Sequence, residues 1–176
     1  MKTWIANVKW KYNSAAETIR SRLKQLEFMW YEELHISNEL RAYCRKHYRK
    51  DYYLYKSIPG IGGITAAGIL SELGDIRRFN RLDELAAIVG LVPGIYQSSD
   101  NRTNLGLTKR SNHQLRSLLV EASWVAVRSD MALQQDYRRR AREEPNKAII
   151  KVAHKLLSRM RAVINSGIPY QEGVVK

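Results

Sequence analysis

Apolar residues after Ser14 fall at Ile19, Leu23, Leu26, Trp30 and Leu34, at steps of four and three. That spacing places one stripe along a long α-helix reaching about Tyr48. Ser14-Ala-Ala-Glu17 opens it as a capping box, with the hydroxyl at the N-cap and the carboxylate three positions on. The stripe suits a coiled-coil seam as well as packing within its own domain, and the pattern leaves both readings open. Next come Tyr48, Tyr52, Tyr53 and Tyr55 among Arg49, Lys50 and Lys56. Such tyrosines can stack on bases, but wedging between helices is the commoner use.

A second set of helices follows. Ile58-Pro-Gly-Ile-Gly-Gly-Ile-Thr-Ala66 opens one that runs through Ala67, Ile69, Leu70 and Leu73 and stops at Gly74. A short helix starts within Asn80 to Asp83 and ends at Gly90. Pro93 and Gly94 then break the chain into a polar loop, and helices resume at about 112–128, 130–142 and 146–165. In the last of these, Ile149, Val152, Ala153, Leu156, Met160, Val163 and Ile164 form the face predicted to be buried. Lys147, Lys151, Lys155 and Arg159 recur every four residues on another face. Strand signals are almost absent. The expected fold is all-α: a helical, coiled-coil-like segment over residues 1–57, then a compact helical domain over 58–176.

Composition narrows the function. The chain has 176 residues, 44% of them hydrophobic, enough for a folded core and too many for a disordered chain. It contains no apolar run long enough to span a membrane and no secretory pattern at the N-terminus. A single cysteine, Cys44, excludes an internal disulfide and a cysteine-cluster metal site, and fits a reducing cytoplasm. The net charge is +13, distributed as +6 over residues 1–57, −1 over 58–108 and +8 over 109–176. Two basic flanks around a near-neutral middle favour a polyanionic partner, nucleic acid first.

Two motifs carry candidate chemistry. Pro59-Gly60-Ile61-Gly62-Gly63 ahead of a helix has the look of a helix-hairpin-helix turn. Glycines there permit a tight turn, and backbone N–H groups with the positive end of the helix can receive a phosphate without reading a base. An ordinary glycine-rich turn between two helices is the alternative. The second motif is the segment Leu91-Val-Pro-Gly-Ile-Tyr-Gln-Ser-Ser-Asp100, in which Ser98 and Ser99 are candidate nucleophiles. Arg102, Lys109, Arg110 and Arg116 are the cations available to stabilise a pentacoordinate phosphate. Read by itself, the segment is more readily a polar surface loop than a nucleophile's setting. Lys147, Lys151 and Lys155 are further candidate backbone contacts. The four histidines show no metal-ligand spacing, and carboxylates suited to two-metal chemistry are missing.

Taken together, Ile58-Pro-Gly-Ile-Gly, Thr65-Ala66, Gly90-Leu-Val-Pro93, Tyr96-Gln-Ser98, Lys109-Arg-Ser-Asn112, Leu115-Arg116 and Lys151-Val-Ala-His-Lys155-Leu-Leu157 resemble the C-terminal transposase domain of the insertion sequence 110 group, which includes the Piv-type DNA invertases. The resemblance covers about residues 58 to 170, and the preceding helix resembles the helical linker of that group. It implies a DNA recombinase that mobilises a bacterial insertion sequence. DNA, a structured guide RNA (the bridge RNA) and further copies of the protein are the implied partners. It also implies a serine nucleophile forming a 5′-phosphoserine link within a composite active site. By position Ser98 matches that serine, with Ser99 as the fallback. Ser99 stands where the family usually has glycine, and Ser111 where many members have glycine before Asn112.

The family's RuvC-like domain, whose acidic tetrad binds magnesium, is not within these residues. The expectation is therefore a C-terminal part of a longer protein or a truncated remnant: no cofactor of its own, Mg2+ in the absent domain, and no cleavage activity alone. A non-catalytic nucleic-acid-binding module is the alternative function.

Overall fold

The computed structural model describes residues 4–5, 8, 10–98, 101–107, 111–142 and 144–171, with backbone alone for 93–98 and 101–107. Among the described residues are seven longer α-helices: α1 (Asn13–His47), α2 (Arg49–Lys56), α3 (Gly63–Leu73), α4 (Leu82–Val89), α5 (His113–Ser129), α6 (Met131–Ala141) and α7 (Pro145–Ser166). The fold class is all-α, as the periodicity predicts. One segment departs from the reading above. The serine loop is a two-stranded antiparallel hairpin, β1 (Pro93–Ser98) and β2 (Asn101–Leu107). Its Pro, Gly, Asn and Ser content hides the strands, because β-structure depends on cross-strand pairing more than on single-residue preference.

The chain divides into two units, Met1–Ala42 and Tyr43–Lys176, with the division inside α1. In the first unit α1 begins at Asn13, so Ser14 is already helical and its carbonyl accepts from the Thr18 hydroxyl at 2.8 Å. Ile19 and Leu23 are half-buried, whereas Leu26, Trp30 and Leu34 are exposed, as are Phe28 and Met29.

The second unit is built around α7. Its faces carry Ala148, Ile149, Val152, Ala153, Leu156, Leu157, Met160 and Ile164, all buried. It packs on α5 and α6, and on α2 and α4 more lightly. Leu115, Leu119, Ala122 and Ala126 of α5 and Ala66, Ala67, Ile69 and Leu73 of α3 complete the core. Each fully buried Leu or Ile contributes about 1.5–3 kcal/mol. Of the tyrosines near α2, Tyr52 and Tyr55 are buried and Tyr48 and Tyr53 exposed, so the motif divides between packing and surface.

Polar clamps fix the element ends. Arg77, in a 3-10 turn over Ile76–Arg78, binds both oxygens of Asp51 at 2.8 Å and donates to the Ile164 carbonyl at 3.2 Å, joining α2 to the end of α7. Arg161 donates to the Asn80 carbonyl at 2.5 Å. Gly90 and Gly167 close α4 and α7 in the left-handed conformation, where a side chain is strained.

Candidate functional site

The serine hairpin grows from a tightly held base. Asn112 caps α5: its Oδ1 accepts from the Leu115 N–H at 2.9 Å, and its own N–H donates to the Ile88 carbonyl of α4 at 2.9 Å. Its side-chain amide also donates to Glu72 Oε2 of α3 at 2.6 Å. Arg116 donates to the Ser111 hydroxyl, and a Cβ on Gly90 would collide with both side chains. Three helices thus converge where the hairpin leaves and returns.

From that base β1 and β2 pair as Pro93 with Leu107, Ile95 with Asn104, Tyr96 with Thr103, Gln97 with Arg102 and Ser98 with Asn101, with an irregularity between Pro93 and Ile95. Ser98 is therefore the last paired residue before the tip. Five strand steps of about 3.3 Å separate it from Pro93, roughly 16 Å of extended chain. Arg102 holds the neighbouring register position, whereas Arg116 stands at the opposite end of the hairpin. Ser99, Lys109 and Arg110 lie outside the described residues.

The glycine-rich turn joins α2 to α3. Ile58 and Ile61 anchor it in the core, and the Ile61 N–H donates to the Ile58 carbonyl at 3.0 Å. Gly60 has φ +88°, and a Cβ there would overlap the Ala122 carbonyl and lie 2.8 Å from Ala126. Gly60 is thus required by close approach to α5. Gly62 caps α3 in an extended conformation with open space beside it, and Gly63 is the first helical residue. An open groove bounded by Lys56, Gly62, Val125, Ser129 and Tyr170 lies against this turn.

The candidate lysines of α7 differ in their surroundings. Lys147 pairs with Glu144 at 2.6 Å, Lys151 is exposed, and Lys155 reaches Asp136 of α6 at 3.1 Å. Burial would push the Asp136 carboxyl up, yet hydrogen bonds from Lys155, Arg140 and Arg139 outweigh it and hold the group below the usual carboxylate range. Arg159 is turned inward to Asp130 at 2.8 Å. Burial likewise opposes ionisation of Asp130, and Tyr170, the Leu133 N–H and Arg159 more than compensate. The sequence reading missed Asp130 and Asp136 as organising carboxylates. The i, i+3 and i, i+4 placement of Arg139 and Arg140 after Asp136 is the signal that could have found the second.

Among the described residues no group of three or more His, Cys, Asp or Glu side chains is placed to hold a metal ion. His35 lies 3.5 Å from Glu39, and His47 sits against the Tyr43 ring. No described helix is long and apolar enough to cross a membrane.

The described residues thus form an all-α domain that carries a hairpin, a glycine-rich turn and basic helices. The profile of the transposase IS116/IS110/IS902 family matches residues 52–139, half of the chain, and the chain belongs to that family. It is 37% identical over 98 residues to the transposase for insertion sequence element IS1111A of Coxiella burnetii, covering 56% of this chain and 25% of that protein. It is 39% identical over 69 residues to the transposase for insertion sequence element IS1328 of Yersinia enterocolitica, covering 39% and 21%. It is 28% identical over 117 residues to the insertion element IS110 uncharacterized 43.6 kDa protein of Streptomyces coelicolor, covering 65% and 29%. The matched stretch spans less than a third of the length of each of these relatives.

Proposed function

We propose that this chain is the C-terminal part of an insertion-sequence recombinase and that Ser98 is its nucleophile. The observation that carries the reading is the hairpin: its base is held by Asn112, Ile88 and Glu72, and its register leaves Ser98 beside the tip. A serine at that register position, at the far end of a hairpin held at its base, is a candidate to reach a DNA backbone ahead of the helices. In the step proposed, Ser98 Oγ attacks phosphorus, the Oγ–P bond forms and the P–O3′ bond breaks. The serine proton ends on the departing 3′-oxygen, leaving a 5′-phosphoserine. Arg102 is the chain's own cation nearest in register. Arg116 serves the hairpin base instead.

DNA, a structured guide RNA and further copies of the chain complete the proposal. We assign Mg2+ to an acidic RuvC-like part outside this chain. The best-buried described carboxylates, Asp130 and Asp136, are committed to Arg and Lys partners. The glycine-rich turn, through Gly62, Gly63 and Lys56, and the lysines of α7 contribute backbone contacts. The test is Ser98→Ala in a full-length transposase carrying this domain. Loss of recombination with nucleic-acid affinity retained supports the reading, and equal recombination by both proteins refutes it.

A second reading, a helical association module, is favoured by one observation: Leu26, Trp30 and Leu34 of α1 are exposed along a single stripe.

A further inference from the structure

We propose that the α6–α7 surface organised by Asp136 binds the sugar–phosphate backbone of a double-stranded nucleic acid. The inference rests on the reading that this chain handles nucleic acid, and it adds Arg139, Arg140 and Asp136 to the residues the sequence suggested. Asp136 is 5% exposed, and three cations converge on it: Arg139 at 2.9 Å, Arg140 at 3.1 Å to both oxygens, and Lys155 at 3.1 Å. One carboxylate cannot neutralise three cations. Two positive charges remain, on groups that still reach solvent, with Arg139 74% and Lys155 48% exposed.

The excess continues on either side. Residues 136–155 carry seven Lys and Arg against three Asp and Glu. The negative end of α6 accounts for some preference for cations in its last turn. It does not account for Lys155, which comes from the middle of another helix. Lys151 is exposed one turn before Lys155, and steps of four residues advance about 6 Å along α7. The cations therefore form a row rather than a point.

The buried carboxylate also changes the energetics of binding. A free Arg or Lys side chain gives up rotamer freedom when it is held in one geometry. Asp136 imposes much of that order before any ligand arrives. A phosphate oxygen then supplies the missing negative charge without a second ordering cost. Asp136 is in this sense a positioning residue, and the cations make the contact.

The experiment is fluorescence anisotropy of the full chain with a labelled DNA duplex and an RNA duplex of the same sequence, each about 20 base pairs, over a salt titration. The exposed pair Arg139→Ala with Lys151→Ala is compared with Arg20→Ala with Lys24→Ala on α1, which removes the same charge. The expected result is a roughly tenfold or greater loss for the first pair, with the salt slope reduced by about one to two units. The α1 pair is expected to lose less than about threefold. The preferred duplex identifies the source of the backbone. Equal losses in both pairs would overturn the surface while leaving nucleic-acid binding intact. Absence of binding by the unsubstituted chain would overturn both.

Asp136→Asn separates positioning from bulk charge. It raises the net charge, so unorganised electrostatics demands tighter binding, whereas the proposal requires weaker binding with partial rescue by Asp136→Glu. Tighter binding by a folded Asp136→Asn protein would overturn the positioning role. If that variant does not fold, the exposed Arg139 and Lys151 pair decides.

Discussion

The Tyr170 hydroxyl donates to Asp130 Oδ2 at 2.6 Å, joining the end of the described chain to the junction of α5 and α6. Asp130 also caps α6 through the Leu133 N–H at 2.8 Å and accepts from Arg159 of α7 at 2.8 Å. One carboxylate, 1% exposed, therefore ties together two helices and the C-terminal segment.

Replacing that carboxylate with Ala removes a helix cap and leaves Arg159 without its buried partner. Asp130→Ala is expected to cost about 3–5 kcal/mol. Tyr170→Phe, which removes one hydrogen bond to a charged group, is expected to cost roughly 1.5–3 kcal/mol. Urea unfolding of the three proteins checks the order. A Tyr170→Phe loss equal to that of Asp130→Ala would contradict the shared role of Asp130.

Acid should unfold the protein through the same carboxylates. Asp51, Asp130 and Asp136 all titrate below the ordinary carboxylate value in the folded state: Asp51 through its Arg77 hydrogen bond, the others as described above. A lowered folded value gives stability that is complete above the unfolded value of about 3.9 and is lost as pH falls through the folded values. Urea midpoints are expected to stay level from neutral pH to about pH 5 and to drop steeply below pH 4. Asp136→Asn should flatten the drop. A midpoint falling mainly between pH 5 and 7 would point to another group.

Gly60 and Gly62 of the turn should separate cleanly. Gly60→Ala forces a Cβ into α5 and places it at positive φ, for an expected loss above about 2 kcal/mol. Gly62→Ala meets open space in an extended conformation and should cost no more than about 1 kcal/mol, the handicap of Ala against Gly at a helix N-cap. Thermal melts of both variants test this, and comparable losses would contradict the packing described.

Exposure of Leu26, Trp30 and Leu34 predicts self-association through α1 if that stripe meets a second copy. Sedimentation velocity over a concentration series should show a mass that rises with concentration, and replacement of the three residues with Ser should abolish the rise. Because these side chains are already exposed, the melting curve of the second unit should not move. A concentration-independent monomer would eliminate this reading.

The helices were legible because their signals are local. Helix starts near 112 and 130, Gly74 and Gly90 as stops, and the Ile149-to-Ile164 face depend on residues within a few positions of one another. The serine segment was legible as polar but not as paired. Pro93-Gly-Ile-Tyr-Gln-Ser98 has little strand preference alone, and its structure comes from hydrogen bonds to Asn101–Leu107.

The basic residues show the same division. Counting charges identified an excess at 109–176 and a lysine row on α7, because charge and period are properties of the chain itself. The count could not separate Arg159, turned inward to Asp130, from exposed Lys151, nor place Arg116 at the hairpin base away from Ser98. Nor could it show Gly60 pressed against Ala122 and Ala126. The sequence by itself determined the helical class, most of the helix ends after residue 58, the family and the serine to test. Only the tertiary structure decided which cations are committed and which face solvent. A charged side chain's partner is set by what the fold brings within about 4 Å, and residues such as Asp130 and Arg159 are 29 positions apart in the chain.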